Sequence, residues 1–195
     1  ELLDLARAVD HQTGDLQDEA RVRESILSFR PDTVFHLGAQ ALVRAGYHDP
    51  VGTFRTNLQG TVHVLEAVRA STSVRVAVAV TTDKVYRNSE SGRPFQEEDS
   101  LGGKDPYSAS KAAAEMAITC YRESYFRNQG VALGAARAGN VIGGGDWSPD
   151  RILPDAIRAW GQGNPLVVRH PEATRPWQHV LEPLAAYLRF AEVLH

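Results

Sequence analysis

The chain has 195 residues, of which 43% are hydrophobic and 23% are charged, so it carries enough apolar side chains for one sizeable core. This composition excludes a disordered tail, a disulfide-stapled mini-protein and a fibrous repeat. The formal net charge is -3, from 21 basic and 24 acidic residues, without a basic stripe or a basic amphipathic helix. We therefore expect no binding to nucleic acid or to a membrane surface.

The cysteine content bears on the cellular compartment. The single cysteine, Cys120, lies in a helical pattern and is expected to be a small buried residue. One cysteine cannot form an internal disulfide, which is typical of a reducing compartment. The apolar runs are shorter than the roughly 20 residues of a membrane span. No signal peptide is readable, and the chain begins at Glu1 without a methionine. The sequence predicts a cytoplasmic protein or a piece of one.

The first predicted elements are a helix and a strand. Apolar residues at steps of three and four predict a helix from Asp18 to Arg30, which Pro31 ends. A short apolar run predicts a buried strand over residues 33–37, and Gly38 interrupts it.

The next helix begins at Asp49-Pro50, an N-cap residue followed by a first-turn proline. Its apolar positions recur at helical spacing as far as Val68, which predicts one packed face. The valine-rich run of residues 74–80 predicts a strand buried on both faces, as in a parallel sheet covered by helices.

The remaining elements are predicted from the same signals. They are, in chain order, a polar loop over 87–104, a helix that Asp105-Pro106 opens and that reaches about Asn128, a strand over 131–137, a loop over 139–147 and helices near 150–162 and 182–194. Strands and helices alternate through the first 137 residues, which predicts an α/β fold with a doubly wound parallel sheet.

A glycine-rich turn is missing from this pattern. A dinucleotide-binding sheet of this kind begins with a strand and a G-x-x-G-x-x-G turn, and the sequence contains no such turn. The triple glycine at 143–145 comes too late and follows no such strand. Either the fold does not bind a nucleotide, or its first strands lie upstream of Glu1.

Tyr107 and Lys111 form the sharpest local signal. Residues four apart lie on one face of a helix, so the phenol and the amine can meet one ligand. A nearby ammonium favours the phenolate and so lowers the pKa of a tyrosine that acts as a base. The alternative is a tyrosine and a lysine on the surface, because Y-x-x-x-K is frequent by chance.

A second polar cluster follows the valine-rich strand. Thr82, Asp83 and Lys84 come where this strand ends, and open α/β sheets bind ligands at the carboxyl ends of their strands. Successive strand residues point to opposite faces, so the three side chains converge only if the chain leaves β geometry here. The alternative is an ordinary polar exit from a strand.

Six motifs occur in an order and at a spacing that resemble a known family. They are Gly14-Asp15-Leu16, Val34-Phe35-His36-Leu37-Gly38-Ala39-Gln40, Asn57-Leu58-Gln59-Gly60-Thr61, Thr82-Asp83-Lys84-Val85-Tyr86, Tyr107-Ser108-Ala109-Ser110-Lys111 and Arg137-Ala138-Gly139-Asn140-Val141. Together they resemble the extended short-chain dehydrogenase/reductase family, and within it the nucleotide-sugar 4,6-dehydratases. The resemblance spans nearly the whole chain. It implies a Rossmann-type fold, NAD as the cofactor and a nucleotide sugar as the substrate.

The resemblance also implies roles for the two polar clusters. Tyr107 takes the proton of the sugar 4-hydroxyl while a hydride leaves C4 for NAD. Lys111 holds the nicotinamide ribose and lowers the pKa of Tyr107, and Thr82 hydrogen-bonds the reacting 4-oxygen. Water then leaves across C5 and C6, and the acid and base roles of this elimination fall on Asp83 and Lys84. The hydride finally returns to C6.

Lys84 bears on the substrate. Relatives that act on dTDP-glucose often carry glutamate at this position, so the lysine resembles the branch that acts on CDP-glucose. A lysine base must be neutral, and the charges of Lys111 and oxidised nicotinamide would lower its pKa. Alternatively, a charged Lys84 stabilises an enolate and another group is the base. A 4-epimerase of the family needs no Asp–Lys pair here.

The resemblance implies two further groups of binding residues and no metal ligands. The expected cofactor contacts, besides Tyr107 and Lys111, are Asp15 near the adenine, Leu37, Ala39, Gln40, Thr81 and Val141. The expected substrate contacts are Asn140, Arg151, Arg175 and His179, where arginine suits a diphosphate because its planar fork donates two parallel hydrogen bonds. His36 is expected to be a satisfied core histidine, and Asn57 a hydrogen-bonding bridge between helix and strand.

The resemblance divides the chain into two parts and suggests an assembly. Residues 1–141 are expected to form a dinucleotide-binding domain without its first strands, and 142–195 the start of a substrate-binding portion, interleaved with the first. A homodimer is expected through the helices over 51–69 and 107–128. The alternatives are a dehydratase or 4-epimerase for another nucleotide sugar, a non-catalytic NAD-binding relative, or an inactive core of a longer protein.

Overall fold

The computed structural model describes residues 8–195, so residues 1–7 of the first predicted domain lie outside the described part. The described helices are, in chain order, α1 (Glu19–Phe29), α2 (Val43–His48), α3 (Pro50–Phe54), α4 (Gly60–Ala70), α5 (Pro106–Tyr121), α6 (Arg127–Gln129), α7 (Ile152–Gly161) and α8 (Leu181–Leu194). The described strands are β1 (Thr33–His36), β2 (Val76–Thr82), β3 (Ala132–Ala138), β4 (Asn140–Ile142) and β5 (Trp177–His179).

The three N-caps that begin α1, α3 and α5 are aspartates. Asp18, Asp49 and Asp105 each accept a hydrogen bond from a backbone N–H of the first turn, at 3.0, 2.8 and 3.0 Å. This capping satisfies donors that have no partner inside the helix. At Asp105 the capping is reciprocal, because the Ser108 hydroxyl lies 3.2 Å from the Asp105 backbone N–H.

Two long helices contain π-helical turns that the sequence pattern does not predict. The helix that begins at α3 continues through a π-helical turn, Arg55–Gln59, into α4, and α5 continues through Arg122–Phe126 into α6. In the first turn, the hydroxyl of Thr61 donates to the carbonyl oxygen of Asn57 at 2.6 Å. π-Helical turns of this kind often occur at functional sites.

The strand predicted over 74–80 is displaced by two residues, since β2 is Val76–Thr82. Short elements are also absent from the sequence-based prediction: α2, β4 and β5 are only three to six residues long. Elements of this length carry too little periodicity to stand out from loops.

The main sheet is parallel, with the strand order β1-β2-β3. In its register Thr81 lies beside Arg137 and Thr82 beside Ala138. Ala77 and Ala79 face a core built with α4 and α5, whereas Val76 and Val78 face a second core built with α8. Helices therefore cover both faces of the sheet, and the predicted α/β fold class is confirmed.

The chain after β3 packs against this sheet. β4 pairs with β5 in a small parallel sheet, and α8 then returns to contact β2 and β3. The predicted boundary at residue 141 lies within β4 and stays a prediction. Within residues 8–195, no helix has the length and apolar character that a membrane crossing requires.

Candidate active site

The end of β2 brings three polar residues to one edge of the sheet. Thr82 is the last residue of β2, and Asp83 and Lys84 lie in a 3₁₀ turn that follows it directly. The Thr82 hydroxyl accepts from the Lys84 backbone N–H at 3.4 Å and donates to Asp83 Oδ1 at 3.2 Å. The turn is the departure from β geometry that convergence of these side chains requires.

Tyr107 lies against this turn from the first turn of α5. Its side chain is buried, and the Lys84 amine lies 6.0 Å from the centre of its ring. The Thr82 side chain is also close enough to the Tyr107 phenol to influence its pKa. Two segments that are 25 residues apart in sequence therefore meet at one place, as the resemblance implies.

Several neighbouring groups influence the pKa of Tyr107. Burial raises the pKa of the Tyr107 phenol, whereas the Thr82 side chain and the positive charge of Arg151 lower it. The charges of Asp83 and Asp105 raise it further. Arg151 is thus one cation that lowers the pKa of the phenol, and the expected effect of Lys111 stays a prediction.

Lys111 is buried against β2. This side chain is only 4% exposed, and its ammonium donates to the carbonyl oxygen of Val80 on β2 at 2.9 Å. Burial lowers the pKa of Lys111 to about 8, and the nearby carboxylate of Glu115 opposes this shift. Lys111 thus lies at the floor of the site, hydrogen-bonded to the strand.

Arg151 reaches the site from the N-cap position of α7. Its Nη2 lies 3.5 Å from the carbonyl oxygen of Ala41, after β1. Its Nε is buried without a hydrogen-bond partner and lies 4.0 Å from an Asp146 oxygen. A buried N–H donor without a partner beside Tyr107 suits an oxygen-rich ligand.

The loop after β1 forms the next wall. Leu37 is a large apolar side chain that is 47% exposed at the carboxyl end of the strand. Gln40 is held by its own side chain, which donates to Thr53 Oγ1 at 2.9 Å and accepts from the Leu42 N–H at 2.6 Å. Ala39 lies between them and is half-buried. This loop offers an apolar surface on a fixed backbone.

Asn57 joins that loop to α5. Its fully buried amide accepts from the Gln40 N–H at 2.8 Å and donates to the Gln40 carbonyl oxygen at 3.0 Å. It also donates to the Ser110 hydroxyl at 2.9 Å. The expected bridging role is confirmed, although the partners are a loop and a helix rather than a strand.

His36 is a core histidine, as expected. It is buried, and its Nε2 lies 2.9 Å from the hydroxyl of Thr61. Cys120, by contrast, lies in the last turn of α5 and is exposed rather than buried. The expectation for the cysteine is wrong.

Asp15 lies in an exposed loop that packs near β1. Its carboxylate accepts from the Gln17 N–H at 2.9 Å. The following backbone is fixed at Leu16, whose carbonyl oxygen lies 2.8 Å from His63 Nδ1. A side chain at Gly60 would lie 2.8 Å from Leu16, so the close approach of this loop requires glycine there.

Thr81 does not present its hydroxyl to the expected cofactor cleft. It donates instead to a carboxylate oxygen of Glu115 at 2.5 Å. Arg137 on β3 binds the same carboxylate, and Nη1 of Arg137 donates to the Tyr86 hydroxyl at 2.8 Å. Neither Glu115 nor Arg137 is among the site residues predicted from the sequence. The available signal is the position of Glu115, four residues after Lys111 on the same helix.

A connecting loop, residues 86–101, joins the 3₁₀ turn to α5. Its two ends form an antiparallel bridge between Tyr86 and Leu101. The rings of Tyr86 and Phe95 stack with their centres 4.6 Å apart, and Arg137 Nη1 donates to the Glu97 carbonyl oxygen at 2.9 Å. The loop is therefore closed at its base and packed by its own side chains.

The remaining predicted substrate residues lie in or beside the small sheet. Asn140 pairs with Trp177, and His179 pairs with Ile142. Val141 lies between them and is exposed. His179 is exposed, and its Nδ1 lies 3.3 Å from the Leu181 N–H.

Arg175 is exposed and lies just before β5. Its guanidinium donates to the neighbouring Thr174 carbonyl oxygen at 2.6 Å. Together with Arg169 and His170, it lines an open cavity of about 720 Å³. Among residues 8–195, no group of three or more His, Cys, Asp or Glu side chains is arranged to hold a metal ion.

Comparison with known proteins places this geometry in context. Residues 3–194 match the family described as "NAD dependent epimerase/dehydratase family". The chain is 42% identical over 200 aligned residues to the CDP-glucose 4,6-dehydratase of Salmonella typhimurium, and the match covers 100% of the chain and 56% of that protein.

Solved structures share the fold. The UDP-glucose 4-epimerase of Thermus thermophilus in complex with NAD superposes with a TM-score of 0.79 at 30% identity, over 91% of this chain and 58% of that one. A dTDP-glucose 4,6-dehydratase from Streptomyces venezuelae with NAD bound gives a TM-score of 0.77 at 24% identity, over 89% of this chain and 52% of that one, a likeness of fold alone. The chain thus spans about half the length of these proteins.

Proposed function

The chain belongs to the NAD dependent epimerase/dehydratase family, and from this premise we propose that it is part of a nucleotide-sugar 4,6-dehydratase that acts on CDP-glucose. The observation that carries the proposal is the meeting of Thr82, Asp83 and Lys84 with Tyr107 at the end of β2. The likeness to the Salmonella enzyme over the whole chain supports CDP-glucose as the substrate.

The residues present suit the nicotinamide half of NAD. The exposed apolar side chains of Leu37 and Val141 offer a surface for a flat ring at the carboxyl edge of the sheet. Asp15 lies in the loop near β1 and suits the adenosine half. When bound, oxidised NAD accepts a hydride and adds a positive charge beside the Tyr107 phenol.

The chemistry at C4 of the sugar falls to Tyr107 and Thr82. Thr82 would hydrogen-bond the reacting 4-oxygen, and Tyr107 would take the proton of the 4-hydroxyl. Because burial raises the pKa of Tyr107 in the free chain, the phenol needs added positive charge before it can act as a base. Arg151 supplies part of this charge.

The elimination falls to Asp83 and Lys84. The 4-keto group acidifies the C5 proton, for which Lys84 is the proposed base, while Asp83 donates a proton to the departing C6 hydroxyl. Both side chains leave the same 3₁₀ turn, so they can reach neighbouring carbons of one sugar ring.

The substrate diphosphate is proposed to meet arginines on the small-sheet side. Arg151 has an unpartnered buried Nε near Tyr107, and Arg175 faces the cavity that Arg169 also lines. Asn140 and His179 lie on the adjacent strands of the small sheet. These side chains fit the negative charges of a nucleotide sugar.

Solvent deuterium distinguishes dehydration from 4-epimerisation. The protein is incubated with NAD and CDP-glucose in D₂O, and the product is analysed by NMR and mass spectrometry. We expect a 4-keto-6-deoxy sugar with deuterium at C5, because the elimination removes that proton, the hydride taken from C4 would return to C6, and a deuteron from the solvent would add at C5. A C4 epimer that keeps its C5 proton would instead favour a 4-epimerase, the second candidate, which the UDP-glucose 4-epimerase fold supports.

Specificity for the base is tested in the same assay. CDP-glucose, UDP-glucose and dTDP-glucose are supplied one at a time, and the rates are compared at a low, equal concentration. We expect CDP-glucose to give the highest rate. Preference for another nucleotide would contradict the CDP assignment and leave the dehydratase chemistry intact.

We further propose a homodimer through the helices over 51–69 and 107–128. α3 packs on α5, and both expose large apolar side chains, including Val51 at 60% and Met116 at 66%. Light scattering should give the mass of a dimer, and Met116→Glu should give a monomer. A monomeric wild-type protein would contradict this assembly.

The exposed free thiol of Cys120 suits the reducing cytoplasm that we propose as the compartment.

A further inference from the structure

A buried ion pair joins α5 to β3 beneath the candidate active site. Glu115 is only 3% exposed, and Nε of Arg137 donates to both of its carboxylate oxygens, at 2.8 and 3.0 Å. Arg137 Nη2 adds a contact at 2.5 Å, and the Thr81 hydroxyl donates to the same carboxylate at 2.5 Å. These donors hold the charge of Glu115 in one place.

The carboxylate is held next to Lys111. Glu115 follows Lys111 by four residues on α5, so both side chains lie on the same face of the helix. Neighbouring residues of β2 hold the two groups, since Val80 accepts from the ammonium and Thr81 donates to the carboxylate. The lysine and the glutamate are therefore fixed side by side against the sheet.

We propose that Glu115 and Arg137 are positioning residues that set the charge of Lys111. The Glu115 carboxylate stabilises the charged form of Lys111. Arg137 weakens this stabilisation, because its own positive charge is paired with the same carboxylate. The catalytic consequence rests on the proposed function, because the charge of Lys111 affects turnover only if Lys111 serves the cofactor. The effect on the lysine itself does not depend on that function.

The surroundings of Lys111 make its charge sensitive to this pair. Burial lowers the pKa of Lys111 to about 8, and the Glu115 carboxylate raises it against that trend. The other ionisable groups around the lysine are Tyr107 on its own helix and His36 on β1, with Asp83 and Lys84 beyond Tyr107. Small changes in the electrostatic effect of Glu115 should therefore change the average charge of Lys111 near neutral pH.

The lysine content of the chain makes a direct measurement possible. Lys84, Lys104 and Lys111 are the only lysines, so lysine labelled with ¹³C at Cε gives three NMR signals. Lys84→Arg and Lys104→Arg assign the two exposed residues, which leaves Lys111 by elimination. The chemical shift of each signal is followed against pH, without cofactor or substrate.

The two partners should shift the Lys111 midpoint in opposite directions. Glu115→Gln removes the supporting charge, so the midpoint should fall by about half a pH unit or more. Arg137→Met leaves the carboxylate to Lys111 alone, so the midpoint should rise by a similar amount. Arg137→Lys keeps a positive charge beside Glu115, so the Lys111 midpoint should stay close to the wild-type value.

A matched surface pair provides the control. Arg189 and Glu192 form the same type of contact at 2.8 Å on α8, with both side chains largely exposed. Glu192→Gln should leave the Lys111 midpoint unchanged.

The outcomes separate a charge effect from a structural one. If Glu115→Gln and Arg137→Met shift the midpoint in the same direction, or no further than Glu192→Gln does, the proposal is wrong. Should Glu115→Gln fail to fold, the difference between Arg137→Met and Arg137→Lys decides, and equal midpoints overturn the proposal. The Lys111 midpoint is measured without turnover, so the inference can be confirmed even if the protein does not convert CDP-glucose. Failure of the inference and failure of the proposed function therefore give different results.

Discussion

His36 and Lys111 are two buried basic side chains whose pKa values fall for the same reason. Burial removes the water that stabilises the charged forms and lowers the pKa of His36 to about 4 and that of Lys111 to about 8. The positive charge of Lys111 lowers the pKa of His36 further. At neutral pH the histidine is therefore uncharged, and it hydrogen-bonds Thr61 within the core.

His36 should make the fold sensitive to mild acid. The unfolded histidine binds its proton near pH 6.5 and the native one near pH 4, so native stability falls as the pH decreases through that window. The expected contribution is about 3 kcal/mol. His36→Leu should lose less stability than the wild type between neutral pH and pH 4.5, as measured by urea unfolding. Equal acid sensitivity in both proteins would show that His36 is not the cause.

Tyr107 should be indispensable for turnover. Tyr107→Phe removes the only proton-accepting atom of this side chain and should lower kcat by roughly 10²- to 10⁴-fold, with little change in stability. Turnover of CDP-glucose and thermal unfolding are measured together. Tyr125, an exposed residue on the π-helical turn after α5, provides the control. The variant Tyr125→Phe should keep wild-type activity. Wild-type turnover by Tyr107→Phe would remove Tyr107 from the mechanism.

At the scale of elements, α5 carries most of the candidate site. Tyr107, Ser110, Lys111 and Glu115 are all buried residues of its first three turns; Lys111 and Glu115 bind β2, and Ser110 binds Asn57. The Asp105-Pro106 start of this helix could be predicted from the sequence, because a cap and a first-turn proline act locally. The π-helical turns could not, since Asn57 is turned inward by partners on a loop and on another helix.

The cap of α5 should affect both stability and activity. Asp105→Ala removes the hydrogen bond to the Ser108 N–H and should destabilise the fold by about 1 kcal/mol. It should also lower turnover, because the turn that it frees carries Tyr107. Asp49→Ala is the matched control, since Asp49 caps α3 with the same Asp-Pro sequence. It should cost similar stability and leave turnover nearly unchanged; equal losses of activity would contradict the local role of Asp105.

At the scale of the whole molecule, α8 closes the second face of the sheet over β2 and β3. Gly134 on β3 lies against the ring of Phe190, so closely that a methyl group at this glycine would overlap the ring. Val76, Val78 and Ala191 form the buried centre of this face. The return of the chain end to the first sheet depends on this fit.

Gly134 should therefore be intolerant of side chains. Gly134→Ala should destabilise the fold by about 1–3 kcal/mol, because Phe190 must move. Phe190→Ala removes the packed ring and should also be destabilising. In the double variant the new methyl group finds space, so the two losses should be less than additive in urea unfolding. Strict additivity would show that the two residues do not interact.

The site residues that can be predicted from sequence are those whose positions depend on local sequence. Residues whose roles depend on contacts with distant parts of the chain cannot be predicted in this way. Thr82, Asp83 and Lys84 can be placed because they follow a recognisable strand. The roles of Arg151 and Arg137 cannot, because Arg151 reaches Tyr107 from α7 and Arg137 binds a carboxylate on another element. Thr81 is expected to contact the cofactor, but its hydroxyl binds Glu115 instead.

The closed base of the connecting loop has a practical consequence. The bridge between Tyr86 and Leu101 and the stacked rings hold the stem, whereas Gly92 at the far end has a φ of 73° and open space around it. A short peptide tag or a fluorescent dye attached at this tip would leave the stem undisturbed. The loop therefore offers a place where the protein can be labelled without altering its packed base.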